Sequence, residues 1–141
     1  MDKMKDNVIG ELTSGVSSWS KPFKIHLFGK TFKTKLKFEA YAAHPIDDVQ
    51  RRNYVNFTRY QDEIEKQLLK YGKQNNSSEV TDKDARKATT SVGSIVFYHG
   101  SAVPSVAGHV LVEIGSTWED EHGIGVQIMP FLKVGVLDEF I

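Results

Sequence analysis

Two stretches in the first third of the chain alternate between apolar and polar residues. Over residues 31–43 one face carries the apolar side chains and the other carries lysines and a glutamate, which predicts a long strand with one wet face. Residues 23–28 alternate in the same way. Gly29 and Lys30 suit a two-residue turn between them, because glycine tolerates positive φ. Residues 22–42 are therefore predicted to form a β-hairpin.

From residue 46 the apolar positions recur every three or four residues instead. The stripe consists of Ile46, Val49, Phe57, Tyr60, Ile64, Leu68 and Tyr71, with Asn53 as its one polar interruption. Acidic residues precede it, lysines gather near its end and Gly72 follows it, in agreement with the helix dipole and with C-capping preferences. The pattern predicts a helix of about seven turns, at 3.6 residues per turn, whose apolar stripe lies on a sheet.

The rest of the chain returns to strand patterns after a polar insert. Residues 73–92 are predicted to be a disordered connection, with a short helix over residues 81–88 as the alternative. Four apolar runs then predict strands, at residues 94–98, 110–114, 124–128 and 131–136, and the apolar end of the chain is expected to dock. The predicted fold class is α+β: a mostly antiparallel sheet with one long helix packed on one face, forming a single domain over residues 1–141.

Composition narrows the possible functions. The chain has no cysteine, which excludes thiol nucleophiles, disulfides and cysteine-based zinc sites. No signal-peptide pattern and no apolar run of membrane-spanning length is visible, so we expect a cytoplasmic protein with no membrane partner. Residues 1–37 hold eight lysines and three acidic residues, whereas residues 113–141 hold six acidic residues and one lysine. We expect these two ends to pair in one sheet, where opposite charges complement each other.

The overall charge is zero, whereas nucleic-acid-binding domains are usually basic. The lysine row Lys33, Lys35 and Lys37 is therefore interpreted as protection of a strand edge, and no nucleic-acid partner is expected. The sequence shows no Gly-rich phosphate loop, no nucleophile elbow and no H-E-x-x-H motif. We therefore assign no catalytic residue, no metal ligand and no cofactor.

The run from Trp118 to Val126 is the strongest candidate for a site, and its predicted binding residues are Trp118, Glu119, Asp120, Glu121 and His122. In one interpretation the Glu119–His122 segment is the centre of a metal-dependent enzyme, since carboxylates and imidazole bind divalent cations. Neighbouring residues on a strand point to alternate sides, so that site needs further donors, and His99 and His109 are the only other histidines nearby in the sequence.

In the other interpretation the same run is architectural and faces a protein partner. The Trp118 ring is predicted to pack over Gly123 and Gly125, because glycines at alternate strand positions leave room for a ring. A pair between Glu121 and His122 is predicted to fix the turn. The exposed Glu119 and Asp120 are then expected to meet a basic partner.

Four sequence segments resemble an uncharacterised family of bacterial cytoplasmic domains, some of whose members occur in toxin–immunity loci. They are Phe28-Gly29, Ile46-x-x-x-Gln50-x-x-x-Tyr54-x-x-Phe57, Trp118-x-x-Glu121-His122-Gly123-x-Gly125-Val126 and Val134-Gly135-x-x-Asp138-x-Phe140. The chain departs from that pattern in the polar insert after Gly72 and at residues 99–104. The resemblance implies a non-catalytic protein that neutralises a toxin domain by stoichiometric binding. We take this as the expected function, with the metal-dependent enzyme as the alternative, and predict no oligomeric state.

Overall fold

The computed structural model describes residues 2–39 and 45–140, and in that part of the chain eight strands form one sheet. The strands are β1 (Lys3–Asp6), β2 (Gly10–Ser14), β3 (Ser18–Leu27), β4 (Lys30–Glu39), β5 (Thr89–Phe97), β6 (Val110–Ser116), β7 (Ile124–Met129) and β8 (Lys133–Val136). Their order in the sheet follows their order in the chain. Only β4 and β5 are parallel; the other neighbours are antiparallel. This confirms the predicted α+β class with a mostly antiparallel sheet.

The β3–β4 hairpin forms with its turn one residue earlier than predicted. Phe28 and Gly29 are the turn residues, with φ values of 52° and 75°, and Lys30 already belongs to β4. Two positive φ values are what a type I′ turn requires, and Phe28 is a costly residue for that conformation. Its N–H donates to the Glu65 carboxylate at 2.7 Å, which fixes the turn. Residues 40–43 of the predicted strand lie outside the described residues.

The long helix spans 28 residues in three parts: α1 (Asp48–Phe57), a 3₁₀ segment (Thr58–Tyr60) and α2 (Gln61–Asn75). α1 begins at a capping box in which Asp47 accepts from the Gln50 N–H and the Gln50 side chain accepts from the Asp47 N–H. The predicted stripe residues Ile64, Leu68 and Tyr71 are buried against the sheet, so the helix does cover one face. The helix does not end at Gly72 as predicted but three residues later.

Aromatic rings pack at the joint between β4 and β5, and the side-chain amide of Gln50 hydrogen-bonds to both strands. The rings of Phe38 and Phe97 stack with centroids 4.6 Å apart, and Phe57 from α1 meets Phe97 edge-on at 5.3 Å. Gln50 is fully buried, and its Nε2 donates to the carbonyls of Glu39 and Phe97 at 2.9 Å each. The start of the helix is therefore hydrogen-bonded to the ends of both parallel strands.

The structure also differs from the sequence-based expectations in the polar insert, at the start of the chain and in the pairing of the two charged ends. The insert at residues 73–92 holds the helix α3 (Asp82–Ala88), N-capped by Thr81, and the first residues of β5, so the alternative of a short helix is the right one. The β1–β2 hairpin was not predicted, because its segment shows too few apolar residues for a clear period. The basic and acidic ends of the chain do not pair, because β1 and β8 form opposite edges of the sheet. No helix among the described residues is long and apolar enough to cross a membrane.

Candidate functional site

The segment of interest is a well-fixed connection between β6 and β7. The Ser116 hydroxyl accepts from the Trp118 N–H at 3.1 Å and caps a 3₁₀ turn, Thr117–Glu119. The Gly123 N–H then donates to the Glu119 carbonyl at 2.8 Å. Gly123 has φ of 77°, which only glycine adopts at low cost, and it turns the chain into β7. This geometry holds residues 118–122 at one end of the sheet.

The Trp118 ring packs against the helix and not over the glycines of β7. A methyl group added at Gly72 of α2 would lie 2.6 Å from Cη2 of the Trp118 ring. The ring that covers Gly125 belongs to Phe140, whose Cδ2 would lie 2.6 Å from an added methyl group there. The predicted partner of Trp118 was therefore wrong, although the expected packing of a ring on glycine occurs twice. The buried Phe140 ring also confirms that the described part of the apolar chain end, Leu137–Phe140, docks on the sheet.

Glu119 is half-buried and engaged within the fold. Its carboxylate accepts from the Tyr71 hydroxyl at 3.4 Å. Burial raises the pKa of Tyr71, and the negative charge of Glu119 raises it further. Glu119 therefore contributes to the joint between α2 and the β6–β7 connection, whereas Asp120 and Glu121 are exposed.

His122 is exposed and lies between two carboxylates. Its Nδ1 is 3.2 Å from Oδ2 of Asp138 and its Nε2 is 3.8 Å from Oε1 of Glu121; the side chain keeps 44% of its accessible surface. The closer carboxylate comes from the segment after β8, so the predicted pair with Glu121 is the weaker contact. No three His, Asp or Glu side chains among the described residues are arranged to hold a metal ion.

Together these side chains form an acidic end, which we define as Asp120, Glu121, Asp138 and Glu139. All four are exposed, and no lysine or arginine within residues 2–39 and 45–140 lies within 4.0 Å of their carboxylates. The two segments that carry them are joined by the contact of His122 with Asp138 and by a backbone hydrogen bond of 3.0 Å from Leu137 to Gly123. A groove of about 380 Å³ lies between Trp118, α3 and the segment that precedes α3. Trp118 connects the two features along the chain, because it lines the groove and precedes Asp120 by two residues.

Sequence reasoning missed a buried polar cluster at the start of α1. His99 is 4% exposed; its Nδ1 accepts from the Ser101 N–H at 2.9 Å, so its Nε2 donates to the Pro45 carbonyl at 3.0 Å. The second oxygen of the Asp47 carboxylate accepts from the Gly100 N–H at 2.8 Å. The signal for this cluster was the D-x-x-Q spacing of a capping box, which the helix pattern overshadowed.

A second pocket on the face of the sheet away from the helix was also missed. It measures about 320 Å³ and is lined by His109, Gln127, Lys133, Phe140 and, from the acidic end, Glu139, among others. Burial lowers the pKa of His109, and a hydrogen bond with Gln127 only partly offsets that effect. Gln127 lies in β7, Lys133 in β8, His109 just before β6 and Phe140 in the 3₁₀ segment Leu137–Phe140. Because these residues are far apart in the chain, no local sequence spacing predicts that they meet.

Comparison with known families adds one finding. The family described as "Domain of unknown function (DUF6985)" matches residues 8–135. The chain belongs to this family. The matched residues include the whole segment from Trp118 to His122, whereas β1 and Asp138 lie outside the match to DUF6985. No curated protein and no solved structure matches the chain.

Proposed function

We propose that this DUF6985 domain is a non-catalytic protein-binding domain that contacts a basic partner through its acidic end. The observation that carries the proposal is that Asp120, Glu121, Asp138 and Glu139 are exposed on two joined segments, and that no lysine or arginine among the described residues lies within 4.0 Å of their carboxylates. Clustered charges of one sign that form no ion pair with lysine or arginine within the fold are available to a partner of opposite sign.

Such a surface acts mainly on the rate of encounter. Steering by complementary charge raises association rates and falls with ionic strength, because surface charges are screened over about 8 Å at 0.15 M salt. Trp118, two residues before Asp120 in the chain, lines a groove, and tryptophan is enriched among residues that dominate binding energy. The acidic end is thus proposed to attract the partner and the groove to give it an anchor point.

The partner we propose is a toxin domain with a basic surface, neutralised by stoichiometric binding in the cytoplasm. This part rests on the resemblance to domains found in toxin–immunity loci. We do not favour the metal-dependent enzyme, because the described residues offer no donor set around His122.

The test compares a charge reversal at the acidic end with a matched reversal elsewhere. Asp120→Lys/Glu121→Lys changes two exposed acids that make no hydrogen bond in the fold, and Asp2→Lys/Asp62→Lys changes the same amount of charge on distant exposed sites. We choose Glu121 over Glu119 because Glu119 is bound by Tyr71. Each protein is used as bait in an extract of the producing cell, and association of the recovered partner is then followed by stopped flow at several salt concentrations.

We expect the wild type and the Asp2/Asp62 control to recover the same basic partner. The Asp120/Glu121 variant should associate at least about tenfold more slowly, with a weaker dependence on salt. Equal association rates and equal salt dependence for all three proteins would refute the role of the acidic end.

A further inference from the structure

The edge of β3 is open over most of its length. β2 pairs with β3 only at Ser20 and Trp19, whereas β3 continues to Leu27 with no neighbour on that side among the described residues. Pro22 lacks the N–H that would extend the ladder. The β1–β2 hairpin turns toward α1 instead, where Asp6 pairs with Arg51 at 2.9 Å.

The hydrogen-bonding phase of the hairpin shows which backbone groups are free. A two-residue turn makes Leu27 and Lys30 a hydrogen-bonded pair, and in an antiparallel ladder such pairs recur at every second residue. Ile25 and Leu27 therefore direct their N–H and C=O groups toward β4. The intervening residues Lys24 and His26 direct their N–H and C=O groups away from β4. Pro22 also directs its carbonyl outward. The open edge thus offers two N–H donors and three carbonyl acceptors in the spacing of a β-strand.

The two sides of this edge differ in chemistry. On the face away from the helix, Lys24 lies directly opposite Lys33, and Lys35 follows two residues later; all three are exposed. Like charges that face each other across a sheet are unfavourable, and an anionic neighbour would relieve that repulsion. On the helix side, Phe23 and Phe57 line a small cavity of about 40 Å³. A shallow groove of about 500 Å³ runs beside Pro22, Phe23 and Lys24.

We propose that the open edge of β3 binds an extended segment of another protein, in which acidic and apolar residues alternate, as an added strand. The main-chain groups of Lys24 and His26 would hydrogen-bond to the backbone of that segment. The lysines would bind its acidic side chains, and the cavity at Phe23 would hold one of its apolar side chains. A second copy of this chain is a poor occupant, because edge-to-edge pairing would place two lysine-bearing edges side by side. Proline and lysine on an edge repel ordinary strands, but lysines attract an acidic one. This surface is separate from the acidic end.

The probe is a fluorescein-labelled peptide, Glu-Val-Glu-Leu-Glu-Val amide, and its control has the same composition in the order Glu-Glu-Glu-Val-Leu-Val. The decisive variants are His26→Pro and His26→Ala. Proline removes an N–H that points away from β4, and alanine retains it while removing the same side chain and its 2.7 Å contact with Thr31. Binding is followed by fluorescence anisotropy, and the fold of each variant by circular dichroism.

We expect saturable binding of the alternating peptide and at least threefold weaker binding of the control peptide. His26→Pro should weaken binding about tenfold relative to His26→Ala, because it removes one main-chain hydrogen bond to the peptide. Lys24→Glu/Lys33→Glu should weaken it as well. If His26→Pro unfolds the protein, amide exchange in the wild type replaces it, and the peptide should slow exchange at Lys24 and His26.

Three results would overturn the proposal. The first is the absence of saturable binding up to a peptide concentration of about 1 mM. The second is equal affinity of His26→Pro and His26→Ala, or unchanged exchange at Lys24 and His26. The third is a dimer in sedimentation that His26→Pro abolishes and the peptide does not displace, which would assign the edge to a second copy of the chain.

Discussion

Replacement of Gln50 by methionine tests whether one buried amide joins the two halves of the sheet. Methionine has a similar length but neither donates nor accepts strongly. Gln50 is 0% exposed and makes three hydrogen bonds, two to the carbonyls of Glu39 and Phe97 and one from the N–H of Asp47. Each bond contributes about 0.5–1.5 kcal/mol net, and a buried carbonyl left without a donor costs about 1–3 kcal/mol.

We therefore expect Gln50→Met to lower the free energy of unfolding by about 3 kcal/mol, a large part of the roughly 5–15 kcal/mol typical of a domain. The assay is urea unfolding followed by far-UV circular dichroism, with the slope against urea compared between proteins. Gln74→Met is the matched control, since Gln74 is exposed in α2 and its replacement should change stability by less than about 0.5 kcal/mol. A loss below about 1 kcal/mol for Gln50→Met, with an unchanged slope, would refute the reasoning.

Three further predictions follow from particular contacts. Gly72→Ala should destabilise the domain by about 1–2 kcal/mol in urea unfolding, because the added methyl group would lie 2.6 Å from the Trp118 ring. Alanine has the better helix propensity, so a stabilised variant would contradict that packing. Burial opposes ionisation of Asp6, but the Arg51 side chain and the N–H groups of Ile9 and Val8 outweigh it and lower its pKa. The stability that Asp6 provides should thus be present above the ordinary aspartate pKa of about 3.9 and be lost as pH falls through the lower folded pKa, and Asp6→Asn should flatten the melting profile there. His122→Ala should leave the melting temperature nearly unchanged, because the side chain is exposed. Mg²⁺, Mn²⁺, Ca²⁺ and Zn²⁺ should shift the melting temperatures of wild type and variant equally, and a rise in melting temperature specific to the wild type would restore the metal hypothesis.

The elements with strong periodicity were predictable from the sequence, and those stabilised by distant partners were not. The β3–β4 hairpin and the long helix each expose one polar face and bury one apolar face, which leaves a clear period of two or of 3.6 residues. The β1–β2 hairpin has no such pattern. Its position depends on the ion pair of Asp6 with Arg51, which are 45 residues apart in the chain.

The candidate site shows the same division. Its five residues do lie together, because they are adjacent in sequence and Gly123 imposes the turn. Their partners Gly72, Tyr71 and Asp138 come from other elements. A glycine after an apolar stripe suits both a helix C-cap and a flat surface for a ring, and local pattern cannot distinguish the two. The helix runs past Gly72, so here the second role is the actual one.

The parallel joint between β4 and β5 has a consequence for the order of folding. Every other pair of neighbouring strands is formed by segments adjacent in the chain, whereas this pair forms only after the crossover from Glu39 to Thr89 closes. Closing a long loop costs entropy before any contact is gained, and non-local pairing slows folding. We expect the hairpins on each side to form early and independently, and their union through Phe38, Phe97 and Gln50 to be the slow step. The rate at which the whole domain folds is then governed by how readily one helix brings two preformed halves together.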